Sequence, residues 1–301
     1  MKVDDEALAA ASRRLRSRAD AILAAVWFMP EAAGGWPALG LPPLGLASRA
    51  ACMGRVRGAV AAAAFAPMNP ARVAPAIEEA WALTDPDTLL VARLDAATRF
   101  LASRVGGEEP ASADRAVTLL APAARAAPPG GHPVYAGLLA LPSPDTTLGS
   151  LWRACDLVRE HRGDSHVAAW QAADLDGVEI NLLSEAWRGL PPGSVAAGQM
   201  GWSLDDVTAA AHRLAERGLL VDGGLTAAGR ALREGIETAT DRQEQPIVAA
   251  LGDALDELLD LLTPWARAVM AVGTSPAEMA GGEVRPGARA AVSRTATGPD
   301  R

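Results

Sequence analysis

The densest chemistry in the chain is the run Arg159-Glu160-His161-Arg162-Gly163-Asp164-Ser165-His166, which holds two of its four histidines. An imidazole changes charge near neutral pH, and a neighbouring carboxylate can orient it. His161 and His166, with Glu160 and Asp164, are therefore the candidate general acid and base. Arg159 and Arg162 are candidates to grip an anionic or carbonyl group bidentately. Glu31, Arg49, Glu237, Asp241 and Arg242 are candidates to converge on the run from distant segments. Trp27 and Trp152 are candidates to wall a ligand cavity, as aromatics commonly do. A plainer alternative exists for every residue here. Gly163 suits a helix C-cap and Asp164 or Ser165 the N-cap of the next helix, and arginine near a helix end complements its dipole.

Other chemistries find no support. Serine elbow, phosphate loop and dinucleotide fingerprint are missing, and Gly106-Gly107 and Gly130-Gly131 follow no strand. No metal site and no cofactor is expected, since zinc needs three or four clustered ligands. Cys52 and Cys155 share no redox or metal spacing. Cys52 stands near Arg49, Arg55 and Arg57. It reads either as a thiol of lowered pKa or as a small buried hydrophobe. The eight tryptophans read first as core and helix-junction filling.

The elements that must position these residues are helical almost throughout. Leu8, Leu15, Ala19, Ile22, Leu23 and Val26 form one face of a first helix. Arg13, Arg14, Arg16 and Arg18 cover its other faces, as solvated charge or as a patch for an anionic partner. Pro30 ends this helix and a Gly/Pro-rich loop follows from Gly34 to Pro43. Helices are predicted over 47–65, 71–83 and 86–104, the last with Asp85 as N-cap and Pro86 at its first position. Gly106 to Pro110 reads as a linker and Ser112 opens a helix to about Ala127. After Pro128-Pro129-Gly130-Gly131 come a short helix near 134–140 and one capped by Asp145 or Thr146, striped with Leu148, Leu151, Trp152, Cys155 and Val158.

Ser194 to Arg230 carries the clearest local pattern. Ser194 to Met200 reads as a short helix and Gly201-Trp202 as a turn. Ser203-Leu204-Asp205-Asp206 has the capping-box form. The helix it opens carries Leu204, Val207, Ala211 and Leu214 on one face and stops at Gly218. Leu219-Leu220-Val221 and Leu225-Thr226 flank Asp222-Gly223-Gly224, which is hairpin chemistry, and another long helix follows. The order is that of a winged helix-turn-helix. The run RLAERGLLVDGGLTAAGRAL resembles the bacterial MarR-type regulators, which implies a DNA-binding scaffold. The charges oppose that role. Between Ser203 and Gly229 four acids face only Arg213 and Arg217, and the wing has no basic residue. Phosphates cannot be neutralised without cations.

A second resemblance runs from about Glu6 to Trp265. REHRGDSHVAA, WFMPEA, SRAACMG and EGIETATDR resemble an actinobacterial family of SCO-type helix-turn-helix proteins. It implies two helical halves and a MarR-like wing but carries no activity. Leu23 stands where many members have a histidine, and Cys52-Met53 where many have Pro-Leu.

The expected fold is mainly α. An N-terminal helical domain (1–129) precedes a C-terminal helical domain (130–270) with the winged helix over 194–242 and a minimal hairpin wing, then a disordered tail (271–301). Half of the 301 residues are apolar, enough for a sizeable core, and 21% are charged. The net charge of −8 argues against non-specific affinity for nucleic acid or anionic membrane. With no secretory leader and no apolar run long enough to span a bilayer, a cytoplasmic location is expected. Ile247, Leu251, Leu255, Leu258, Leu259 and Leu262 form either a homodimer face or a stripe packed on the chain's own N-terminal helices. The leading functional expectation is a repurposed winged-helix protein that binds a small aromatic or anionic molecule at Arg159–His166. It would act as a sensor, a sequestering protein or a cofactor-independent acid/base enzyme of secondary metabolism. The alternative is a MarR-like, ligand-responsive transcriptional regulator.

Overall fold

The computed structural model describes residues 5–28, 40, 45–104 and 111–271. Glu31, most of the Gly34–Pro43 loop, the Gly106–Pro110 linker and the tail beyond Ala271 lie outside them, as does the side chain of Trp27. The described residues are mainly helical, as expected. In chain order they form α1 (Asp5–Phe28), α2 (Leu46–Ala50), α3 (Gly58–Ala64), α4 (Pro70–Leu83), α5 (Pro86–Arg104), α6 (Ala111–Ala123) and α7 (Pro133–Leu139). There follow α8 (Thr147–Ala172), α9 (Gly177–Arg188), α10 (Leu204–Glu216), the strands β1 (Leu220–Val221) and β2 (Gly224–Leu225), α11 (Ala227–Gln243), α12 (Gln245–Leu251) and α13 (Leu255–Met270).

Two expected elements are corrected. The helix predicted over 47–65 is two helices with a 3₁₀ turn at Ala51–Met53, because the backbone leaves helical geometry at Gly54. Ser194–Met200 is a series of turns rather than a helix. Its exposed backbone donors are met from outside, since Glu185 of α9 accepts from the N–H groups of Gly193, Val195 and Ala196 at 2.6–2.8 Å.

The more consequential correction concerns α8. Thr146 caps it, accepting from Gly149 N. The helix then runs unbroken through Gly163, where a C-cap and a new N-cap were expected. Each polar residue of the run has a tertiary partner that suits continued helix, so local capping preference loses to packing.

Helix α8 is the spine of the molecule. It packs against α1, α5, α6, α7 and α11. One cluster of buried apolar side chains surrounds its first half and includes Leu15, Ile22, Phe65, Ile77, Leu101, Tyr135, Leu151, Trp152, Leu258 and Trp265. This cluster draws on both sides of the break at Pro128–Gly131. A second cluster begins at Ala169 and Trp170 of α8 and takes in α9, α10, the hairpin and Ile236 of α11. The polar stretch Arg159–Val167 lies between the two. Ile247, Leu251, Leu255, Leu258, Leu259 and Leu262 are all buried, with α13 packed on α1, α5 and α6. That stripe is spent inside the chain and offers no dimer face.

Candidate functional site

Where α8 passes between the two clusters, its helical period sends the Arg159–His166 residues in different directions. One side meets α7. There Asp164 accepts from Val134 N and Tyr135 N at 3.0 and 3.1 Å and so caps α7. Burial pushes its carboxyl up to about 7. His161 stacks on His132 with ring centroids 4.5 Å apart and meets Tyr135 edge-on. Burial pulls His161 down to about 4, and its Nδ1 has no hydrogen-bond partner among the described residues. His132, in turn, pairs with Ser165 Oγ and Gly130 O. His161 and Asp164 thus lie on the α7 side of α8 and do not line the cavity on its opposite side.

The other side faces a cavity of about 210 Å³. Arg159, Arg162, Gly163 and His166 of α8 line it, together with Arg16 and Asp20 of α1 and Arg49 of α2. Ser184, Trp187 and Arg188 of α9, and Arg233 and Glu237 of α11, complete the polar and aromatic lining. Apolar wall comes from Phe65, Met68, Val167, Ile180, Val195 and Met200. Six arginines against two carboxylates make this a cationic hollow in a chain whose net charge is −8.

The arginines are held by carboxylates set behind the lining. Arg49 is bidentate to Glu160, at 2.9 and 2.5 Å, and lies 4.3 Å over the Phe65 ring. Burial pushes the Glu160 carboxyl up, but Arg49 outweighs it and holds it below its ordinary value. Arg162 donates to Glu237 and Asp241, each at 2.7 Å, to Glu244 at 3.0 Å and to Ser12. Ser12 also bonds Glu244, and Arg13 bonds Asp241 at 2.8 Å. Arg233 bonds Glu237 at 2.6 Å and sits 5.1 Å from the Trp187 ring. Against burial, Arg233, His166, Arg16 and Arg162 keep Glu237 well below the usual carboxylate range. This network pins α1, α8 and α11 together and fixes the geometry of the arginines.

The expected histidine–carboxylate pair is not formed. His166 Nδ1 is 3.8 Å from Glu237 Oε1 and bonds Thr240 Oγ1 instead, at 3.2 Å. Burial lowers it to about 3, so at neutral pH it is an uncharged wall residue. Among the expected ligand contacts, the cavity gathers Arg159, Arg162 and Arg49, with Asp241 behind them. It does not gather Arg242, which is exposed on α11, or Trp152, which is buried in the first cluster beside Arg93. Glu31 lies outside the described residues. Cys52 is the buried hydrophobe and not the activated thiol, its pKa pushed up to about 12 by burial. Trp187, Arg188, Arg233 and Arg16 were not expected in the site. The period of Arg233, Glu237, Asp241 and Glu244, at spacings of four, four and three, marks one face of α11 and carried that signal. Trp187 and Arg188 had no comparable one.

The reading face of the second segment is very different. Helix α9, the turns at 192–200, α10, the β1–β2 hairpin and α11 follow one another as helix, turn, helix, hairpin, helix. Ser203 and Asp206 form the expected capping box, and the strands pair Leu220 with Leu225 and Val221 with Gly224. A family model described as a helix-turn-helix family matches residues 12–276. The chain belongs to this helix-turn-helix family. No curated protein and no solved structure matches it. Membership points to a DNA-binding type of protein, while its charges here point elsewhere. Arg213 bonds Glu179 at 2.9 Å and Asp176 at 2.6 Å, and Arg217 bonds Asp174 O at 2.8 Å. Both basic residues of α10 and its C-terminal end are turned back onto the start of α9. Of the α1 arginines, Arg13, Arg14 and Arg16 pair with Glu234, Asp256 and Asp20, while Arg18 bonds the hydroxyls of Thr263 and Ser17. Among the described helices none is long and apolar enough to cross a membrane.

The cavity and the helix-turn-helix share one strap, Phe65–Arg72. Phe65, Pro67 and Met68 line the cavity. From the same strap, Asn69 N donates to Met200 O and Asn69 Nδ2 to Gly201 O, while Arg72 donates to Gln199 O. Pro67 O accepts from Trp202 Nε1 at 3.0 Å and Asn181 Nδ2 at 2.8 Å. A Cβ on Gly177 would come within 2.4 Å of Ala66 O, so the contact needs glycine.

Proposed function

We propose that this protein binds a small anionic molecule in the arginine-lined cavity, with the helix-turn-helix as scaffold rather than as DNA reader. The observation that carries this reading is the placement of six arginines around one hollow in an acidic chain. Guanidinium groups prearranged by buried carboxylates, and set among aromatic and thioether side chains, suit an acid group on an apolar body. The lack of a histidine–carboxylate hydrogen bond favours a sensing or sequestering role over acid/base catalysis. Thermal-shift measurements with benzoate, phenylacetate and phenyl phosphate test the reading. A rise in melting temperature with at least one of them is expected for the wild-type chain and none for Ser184→Trp, which fills the hollow. No rise with any would contradict it.

One observation favours a second reading, a ligand-responsive regulator of MarR-like type. The strap that walls the cavity also holds the turn leading into α10, so a ligand could bias the pose of that helix. On this reading a promoter duplex binds the protein and an effective anion changes its affinity. Fluorescence anisotropy with the chain's own upstream DNA, at low and physiological salt, separates the two readings.

A further inference from the structure

We infer that the acid group of the ligand is a carboxylate seated on the bare backbone at Gly163, between the guanidinium groups of Arg159 and Arg49. The inference rests on the cavity-binding reading above and specifies its contact point and ligand class. Glycine is the least favourable residue but proline for a helix interior, and Gly163 sits deep within the 26 residues of α8. A Cβ there would lie 3.1 Å from Arg159 Nη1 and 3.7 Å from Arg49 Nη2. Two cationic groups from different helices therefore flank one patch of cavity floor that has no side chain. Either arginine can still donate. Arg159 makes no hydrogen bond among the described residues, and its one ion pair is to Asp20 at 3.5 Å, with a third of the side chain exposed. Arg49 commits Nε and Nη2 to Glu160, which leaves Nη1 for a ligand. Of the other cavity arginines, Arg162 is engaged by Glu237, Asp241, Glu244 and Ser12, Arg233 by Glu237 and Ser184, and Arg16 by Asp20.

The surroundings select the ligand class. Glu160 Oε2 lies 3.6 Å from the same point and Asp20 stands behind Arg159. A singly charged head tolerates these neighbours better than a phosphate dianion does. From the seat, Met68, Ile180, Trp187 and Met200 supply apolar wall. The volume of about 210 Å³ falls below the ~300–1,000 Å³ of sites for drug-sized ligands. One ring bearing one carboxylate fits; a nucleotide does not.

Calorimetric titration of the full chain with phenylacetate tests the seat. Gly163→Ala should weaken binding by about tenfold or more, the usual effect of losing a charged hydrogen bond, because the added methyl group fills the seat beside Arg159 Nη1 and displaces the carboxylate from it, while the melting temperature stays equal or rises. Arg159→Gln should weaken binding to a similar degree, and Arg159→Lys less, because it keeps charge but not the fork. Phenyl phosphate should bind the wild type more weakly than phenylacetate. Wild-type affinity in both Gly163→Ala and Arg159→Gln, with binding lost only in Ser184→Trp, would overturn the seat and leave the cavity reading standing. No binding of either probe to the wild-type chain would overturn both.

Discussion

Two regions of this molecule hold arginines in opposite ways. Around the cavity, Arg16, Arg49, Arg159, Arg162, Arg188 and Arg233 converge from α1, α2, α8, α9 and α11. On the helix-turn-helix, Arg213 and Arg217 fold back onto Asp176, Glu179 and the end of α8's loop, and the hairpin carries Asp222 without a cation. The family match spans both regions, yet the convergent guanidinium groups are concentrated in the first. Fold and site are separate facts about a protein, and charge placement reports on the site.

The comparison makes predictions that differ in size. The largest concerns the cavity's supporting network. Arg162→Leu leaves Glu237, Asp241 and Glu244 buried without their shared cation, and breaking such a cluster typically costs about 3–5 kcal/mol. Denaturant unfolding should show a loss of that order, whereas a change within the scatter of surface substitutions would mean the network is not holding the cavity. Next comes Glu185→Ala, which strips the acceptor from three backbone donors at Gly193, Val195 and Ala196. The expected loss is about 1–3 kcal/mol. Hydrogen exchange should rise in 192–216 and not in α1 or α13, so a uniform rise would break the division into two regions.

A smaller, pH-dependent effect comes from the buried ionisable groups of α8. His161 is held at about 4 when folded against ~6.5 when unfolded. The unfolded chain therefore takes up its proton first, and stability falls as pH drops from about 6.5 through about 4. Asp164, raised to about 7, acts oppositely and removes stability as pH rises from about 4 through 7. His166, lowered to about 3 by burial, adds to the loss on the acid side, so the net trend is falling stability towards low pH. His161→Phe keeps the stack on His132 and should preserve more stability at pH 4–6 than the wild type; an unchanged acid limb would contradict the burial of that imidazole. The smallest effect is expected for Arg213→Ala and Arg217→Ala. Exposed ion pairs contribute about 0–1 kcal/mol, and DNA association should be unaltered because neither charge is available to phosphate. A clear drop in DNA affinity would move the binding chemistry back to the reading face.

How much of this was legible in the sequence follows from the range of the forces involved. Local rules located α5 to the residue through Asp85 and Pro86, the Ser203 cap and the Asp222-Gly223 hairpin, and narrowed the cap of α8 to Asp145 or Thr146, because capping and turn chemistry act over a few residues. The same rules misread Gly163. An Arg-Gly-Asp-Ser stretch looks like a helix boundary until Asp164 is seen to cap α7 and Arg162 to bind α11. The polar run did mark the cavity, since so many charges at one place in an alanine-rich chain require distant partners. Which of them face the cavity depends on how the helices are rotated: the rotation of α8 separates His166 from His161, and that of α11 separates Asp241 from Arg242. Trp187 and Arg188 come from α9, whose approach is set by the Phe65–Arg72 strap and has no signature in α9 itself.

The central claim, that binding chemistry lies in the cavity and not on the helix-turn-helix face, is tested most directly by nitrogen-15 NMR. Arginine side-chain and backbone resonances would be followed while phenylacetate, and separately a random-sequence DNA duplex, is titrated into the full chain. The account predicts that phenylacetate shifts Arg49 and Arg159 side chains and the Gly163 amide, and that DNA at physiological salt shifts nothing in Leu204–Glu216. Saturable DNA shifts along α10, with the cavity arginines silent to phenylacetate, would contradict it.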